Sequence, residues 1–250
     1  MSEGLKLEIC LDSVASAMAA QEGGADRVEL CDNLFEGGTT PSSGMIEVAR
    51  ERISIGLQVI IRPRGGDFVY SDEEYAVMEA DIRRAKELGS DGVVFGILGS
   101  DGSVDSERNG RLREIAHPMN ATFHRAFDVT PEPETALERI IELGFDRILT
   151  SGQAPTVWEG VHLIRKLVET AGDRIIIMPG GDLREDTLLR CREETGAKEF
   201  HMLVDKDLAS SVSFHRDVPM GGALRPPETV NHVTDSSRVR RGRESLSRAN

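Results

Sequence analysis

The stretch Leu143-Gly144-Phe145-Asp146-Arg147-Ile148-Leu149-Thr150 decides the fold. A helical pattern over Pro133–Leu143 runs into Gly144, the residue type that ends a helix in a left-handed turn. One residue later comes an aspartate, and then a short aliphatic strand. The same unit recurs as Gly23-Gly24-Ala25-Asp26 before Arg27–Cys31, and as Leu88-Gly89-Ser90-Asp91 before Gly92–Phe95. "Helix, Gly, x, Asp, strand", repeated, is how a loop reads when parallel strands are joined by right-handed helical crossovers.

Working outward from these units, strands are predicted at Leu5–Cys10, Arg27–Cys31, Leu57–Arg62, Gly92–Phe95, Ala121–Arg125, Arg147–Thr150, Arg174–Met178 and Glu199–Met202. Helical patterns fill Val14–Glu22, Met45–Arg52, Asp72–Leu88, Arg108–Ala116, Pro133–Leu143, Thr156–Thr170 and Arg184–Glu194. The alternation predicts an α/β chain folded as a (β/α)8 TIM-like barrel, a fold that closes in about 200 residues. An open doubly wound sheet is the rival. The rhythm stops near Asp205. Residues 1–204 are therefore read as barrel and 205–250 as a C-terminal extension and polar tail. Within the extension, Val212–Pro227 lacks helical period and a short helix precedes the tail.

The chain has 250 residues, 39% hydrophobic and 29% charged, which suits a soluble globular protein and excludes a wholly disordered one. Its longest apolar runs, such as Leu57–Ile61, fall far short of the ~20 residues that cross a bilayer. A net charge of −13 argues against nucleic-acid and anionic-membrane partners. The tail departs from this, with Arg238, Arg240, Arg241, Arg243 and Arg248 against Glu244, and is read as a solvated or frayed terminus. No signal peptide is legible after Met1. Cys10, Cys31 and Cys191 make no disulfide framework, so the expected setting is the reducing cytoplasm.

Strands of a parallel barrel should read as unbroken aliphatic runs. Here Glu8, Glu29, Arg62, His124 and Arg125 interrupt them, and His201 lies in the last strand. Alternation places Glu8 with Cys10, Glu29 with Cys31, and Thr122 with His124 on shared faces. These residues cluster toward the C-terminal strand ends, where barrel active sites assemble. Two readings follow. In one, Glu8 or Glu29 is a general base and His124 an acid, with Arg62, Arg64, Arg125 and His201 binding a small polar or anionic metabolite. In the other, the charges form an ion-pair network closing the barrel's top. The loop Arg62-Pro63-Arg64-Gly65-Gly66-Asp67 suits capture of a carboxylate or phosphate, unless its arginines pair with Asp67 or Glu29. Pro179-Gly180-Gly181 is either a phosphate cradle or a tight turn, with Asp182 opposing an anion. Cys10 and Cys31 end the first two strands, about 5 Å apart if those strands pair. Two such thiols suit a soft ion such as Cu(I), or else are small buried residues. Cys191, in a helix, is read as incidental.

Seven motifs in order extend this reading: LEICLDSVASAMAAQEGGADRVELCDNLFEGGTTPS from Leu7, IIRPRGGDFVYSDEEYAVMEADI from Ile60, DGVVFGIL from Asp91, TFHRAFD from Thr122, RILTSG from Arg147, IMPGG from Ile177 and EFH from Glu199. Together they resemble the CutC copper-homeostasis family, with a weaker echo at Met220-Gly221 and Val233-Thr234-Asp235. The resemblance implies a cytoplasmic barrel, homo-oligomeric, associated with copper tolerance and copper ion binding. The family's cysteine pair falls on Cys10 and Cys31, its polar top on Glu8, Glu29, Arg62, Arg64, His124, Arg125 and His201. Gln153 and Asp182 stand where the family carries glycine, and Met202-Leu203 where it carries small residues. These departures bear on an anion site at the sixth to eighth loops and leave the cysteines untouched.

Overall fold

The aspartate of each repeated unit holds two strands together. In the computed structural model, which describes residues 4–214, 216 and 230–247, Gly24, Gly89 and Gly144 adopt φ values of +87°, +81° and +75°. The aspartate two residues on then accepts a hydrogen bond from the backbone of the neighbouring strand. Leu7 N donates to Asp26 at 2.8 Å, Leu57 N to Asp91 at 2.8 Å and Ala121 N to Asp146 at 2.7 Å. Each carboxylate thus satisfies a strand-start N–H that would otherwise lack a partner at the barrel's lower rim.

Eight parallel strands result: β1 Lys6–Leu11, β2 Arg27–Leu30, β3 Gly56–Ile60, β4 Gly92–Phe95, β5 Asn120–Phe123, β6 Arg147–Thr150, β7 Ile176–Pro179 and β8 Glu199–Met202. They pair in sequence order from β1 to β7, and β8 pairs β1. A parallel bridge between Gly180 and His201 links β7 to β8 and completes the ring. A Cβ on Gly180 would fall 2.5 Å from Leu149 Cδ1 and 3.1 Å from His201 Cβ, so a side chain here would displace the Leu149 side chain. Helices α1 Val14–Glu22, α2 Ser43–Arg52, α3 Asp72–Glu87, α4 Ser106–Ala116, α5 Pro133–Glu142, α6 Val157–Ala171 and α7 Leu188–Thr195 lie in the crossovers. Buried aliphatic side chains of the strands and helices, such as Leu7, Ile9, Leu57, Ile82 and Leu137, make one core cluster. The expected barrel is present, and the doubly wound alternative is not.

Several boundaries differ from expectation. β3 stops at Ile60 and β5 at Phe123, so Arg62, His124 and Arg125 lie on loops rather than in strands. His124 precedes a 3-10 turn over Arg125–Val129. The last crossover helix starts at Leu188 instead of Arg184, because Thr187 Oγ1 donates to Arg184 O and Arg184 N donates to Thr187 Oγ1, closing a turn first.

The extension contains more structure than expected. β9 Asp205–Ala209 pairs antiparallel with β10 Val230–Thr234, and α8 Ser236–Ser247 follows. The basic segment is docked rather than frayed. Arg238 and Arg241 hold Glu185 from Nε and Nη2 respectively, each at 3.0 Å, while Arg243 Nη1 donates to Leu5 O at 2.8 Å. Glu185 is brought down to about 2: burial opposes the shift, and hydrogen bonds from Arg238 and Arg241 outweigh it. Val239 and Leu246 are buried beneath the helix. Most of Val212–Pro227, the Met220-Gly221 echo and Arg248 lie outside the described residues.

Candidate functional site

The barrel axis is threaded by charge. Arg27, Arg147 and Glu199 are the first residues of β2, β6 and β8, and all three point inward and are buried. Glu199 Oε2 lies 2.5 Å from Arg27 Nη2 and 3.0 Å from Arg147 Nε. Arg27 Nε also pairs with Glu8. One layer higher, His201 Nδ1 donates to Glu8 Oε1 at 2.8 Å, and its Nε2 is 3.7 Å from Glu29 Oε2. Four buried charges (Arg147, Glu199, Arg27, Glu8) therefore alternate in sign up to His201. A buried ion is tolerable only when paired in this way.

Above His201 the network meets the two thiols. Cys10 is in register with Glu29 across the β1–β2 ladder. Cys31 follows β2, its N–H bonded to Leu11 O at 2.8 Å. The alternation seen in the sequence turns Glu8, Cys10, Glu29 and Cys31 to the interior, and the two Sγ atoms lie 3.7 Å apart. Cys10 Sγ, Cys31 Sγ and a Glu29 carboxylate oxygen all fall within 4.8 Å of one another.

The electrostatics follow from this packing. The hydrogen bond from Cys31 brings the Cys10 thiol down to about 5; burial opposes the shift and His201 reinforces it. Cys31, the donor in that bond, is pushed well above the ordinary thiol value. Burial pushes Glu29 well up, and the Cys10 thiolate adds to this. Burial likewise works on Glu8, but Arg27 and His201 overcome it and hold Glu8 well below the carboxylate range. For His201, burial favours the neutral ring, yet Cys10, Glu8 and Glu29 prevail and raise it well above the ordinary imidazole value. The packing thus favours the ionised form of Cys10, the protonated form of Glu29 and the charged form of the His201 ring, with one proton shared between the two thiols.

The remaining expected residues lie apart from this cluster. Arg64 pairs with Glu74 at 2.6 Å and Asp67 at 3.1 Å, on the rim. Arg125 pairs with Asp128 at 2.8 Å and Ser151 Oγ at 2.6 Å. Arg62 is buried and meets backbone: Nη1 donates to Glu36 O and Gly38 O, and Nη2 to Gly66 O. His124 is also buried, with Ala126 N donating to its Nδ1 at 3.3 Å. Burial, then the Arg62 charge, lowers the His124 ring to about 3. A neutral ring at physiological pH does not serve as a general acid in the imidazolium form. Glu8, fixed by two cations, is likewise a weaker base than Glu29. In the β6 loop, Ser151 N and Gln153 N donate to Asp128, so the protein's own carboxylate occupies these backbone donors.

The sequence reading missed Arg27, Arg147 and Glu199. A signal existed: Asp26-Arg27-Val28 and Asp146-Arg147-Ile148 repeat one charged residue at the first strand position. Nothing in the linear pattern says that those positions face each other inside a closed ring.

Fold and site together define a parallel eightfold barrel with a thiol pair beneath its mouth, Cys31 buried and Cys10 half-buried. The chain belongs to the CutC family, whose model matches residues 5–205. It is 48% identical over 240 residues to the human copper homeostasis protein cutC homolog, covering 96% of this chain and 88% of that protein. A CutC family protein of Chromobacterium violaceum is 48% identical over 243 residues, covering 97% and 98%. A solved CutC structure from Streptococcus agalactiae superposes with a TM-score of 0.75 at 40% identity, covering 79% of this chain and 97% of that one. Thiamine phosphate pyrophosphorylase from Pyrococcus furiosus shares the fold alone, with a TM-score of 0.58 at 17% identity over 98% of this chain and 96% of that one. No helix among the described residues is long and apolar enough to cross a membrane.

Proposed function

We propose that the chain binds Cu(I) through Cys10 and Cys31, with Glu29 as a third donor, and acts in copper homeostasis. The observation that carries this is the 3.7 Å thiol pair with one sulfur already ionised at neutral pH. Thiolates are the ligands a soft monovalent copper ion prefers. Binding displaces the Cys31 proton, since the ligand is the thiolate. Cu(I) held by two thiolates carries one negative charge, Glu29 offers the carbonyl oxygen of its neutral carboxyl group, and the adjacent positive charge favoured on His201 offsets the total. Family membership and the name of the human relative point the same way.

Anaerobic titration of the reduced chain with Cu(I), against a competing chelator, tests the proposal. Cys10→Ser and Cys31→Ser are each expected to weaken binding by at least about 100-fold, since each removes one of two thiolate ligands. Unchanged affinity in the double variant would sink it.

A further inference from the structure

A second set of buried groups lies away from the thiols, and the copper reading uses none of it. Arg62 leaves β3 and runs under the β3–α3 loop; it is 5% exposed, and no carboxylate lies within ion-pair distance of it among the described residues. Its charge is met by three backbone carbonyls and the face of the Phe68 ring, and its Nε–H has no hydrogen-bond partner. His124, 5% exposed, accepts a backbone hydrogen bond at Nδ1; its proton therefore sits on Nε2, which also has no partner. Tyr70, 5% exposed, ends the same loop, and its Oη is the third orphan. Phe68 joins them: its ring lies 5.2 Å from Arg62 Cζ and 4.8 Å from the His124 ring. The backbone of Phe68 is pinned by a hydrogen bond from Leu98 N at 2.9 Å.

Buried polar atoms without partners are rare, and an unpaired buried cation is rarer still. Here one positive charge without a carboxylate partner and two N–H donors gather around the Phe68 ring, and the Tyr70 hydroxyl lies within reach of the same Arg62 charge. We propose that Arg62, Tyr70 and His124 form a seat for a small monocarboxylate, with Phe68 as its apolar wall. The carboxylate neutralises Arg62 and accepts from Arg62 Nε, His124 Nε2 and Tyr70 Oη. A single negative charge matches the single free cation, because His124 is neutral. Phosphate, with a charge of about −1.5 to −2 at pH 7, exceeds it. The seat is independent of copper: its residues donate nothing to the thiol cluster.

Thermal unfolding of the full, reduced, copper-free chain tests this, using acetate, propionate and pyruvate against chloride and inorganic phosphate at matched ionic strength. At least one monocarboxylate is expected to raise Tm by several degrees, with phosphate giving no larger shift than chloride. Tyr70→Phe is expected to weaken that carboxylate about tenfold, the effect of losing one hydrogen bond to a charged group. The same variant should leave the ligand-free Tm equal or higher, since it deletes a hydroxyl that has no partner. His124→Gln, which retains an N–H donor, should keep more of the shift than His124→Leu. The seat is overturned if no monocarboxylate exceeds chloride, if phosphate exceeds them all, or if Tyr70→Phe binds as wild type or lowers the ligand-free Tm.

Discussion

Cys10 and Cys31 differ only in which of them holds the shared proton, and each controls the other's chemistry. Cys31→Ala removes the bond that stabilises the Cys10 thiolate. The Cys10 titration should then move from about 5 toward the ordinary thiol value of about 8.5. The direction is upward, so at pH 7 the wild-type sulfur is ionised and the variant's is largely protonated. Thiolate absorbance followed against pH checks this; an unshifted titration would show that the contact does not govern Cys10. The face shared by Glu8 and Cys10, and by Glu29 and Cys31, was legible from strand alternation. The proton sharing was not, because it depends on 3.7 Å between atoms 21 residues apart.

Among the elements, the repeated aspartates explain why the βα units pair as they do. Asp146 accepts from Ala121 N and lies 3.5 Å from Arg113 Nη2. Asp146→Ala leaves that strand-start amide without its acceptor and should lower stability by about 1–2 kcal/mol in urea unfolding. Asp146→Asn, which keeps an acceptor oxygen, should recover most of this loss. If both variants unfold like wild type, the carboxylate is not what ties β5 to β6. Glycine and aspartate spacing made these loops readable. The β9–β10 hairpin escaped notice, because β9 is exposed throughout and carries no buried-face period, and the expected short helix proved to include the basic tail itself. What docks α8 is Glu185, a residue 53 positions from Arg238, and no local pattern in the tail reveals it.

At the scale of the whole molecule, the alternating charges inside the ring are a single connected structure. Arg27 faces both Glu8 and Glu199, so Arg27→Ala leaves two buried carboxylates short of a partner. Breaking a buried pair on one side costs about 3–5 kcal/mol, and denaturant unfolding should show a loss of that size. A loss below 1 kcal/mol would mean that water reaches the axis and screens these charges. The ion pairs run through the lower ring by way of Arg27, Arg147 and Glu199 rather than across the top, and they position His201, which faces the thiols.

The order of β and α segments within the barrel, the parallel ring, the family and the faces shared by Glu8 with Cys10 and by Glu29 with Cys31 were legible in the linear pattern. Periodicity, glycine stops and motif order are local properties of the chain. Only the closed ring decided which buried charges found partners and which did not. Arg27 met Glu8 and Glu199, whereas Arg62, equally cationic and equally buried, met backbone carbonyls and an aromatic ring but no carboxylate among the described residues. Charge pairing is set by distance through space, and strands far apart in sequence become neighbours across the barrel only when it closes.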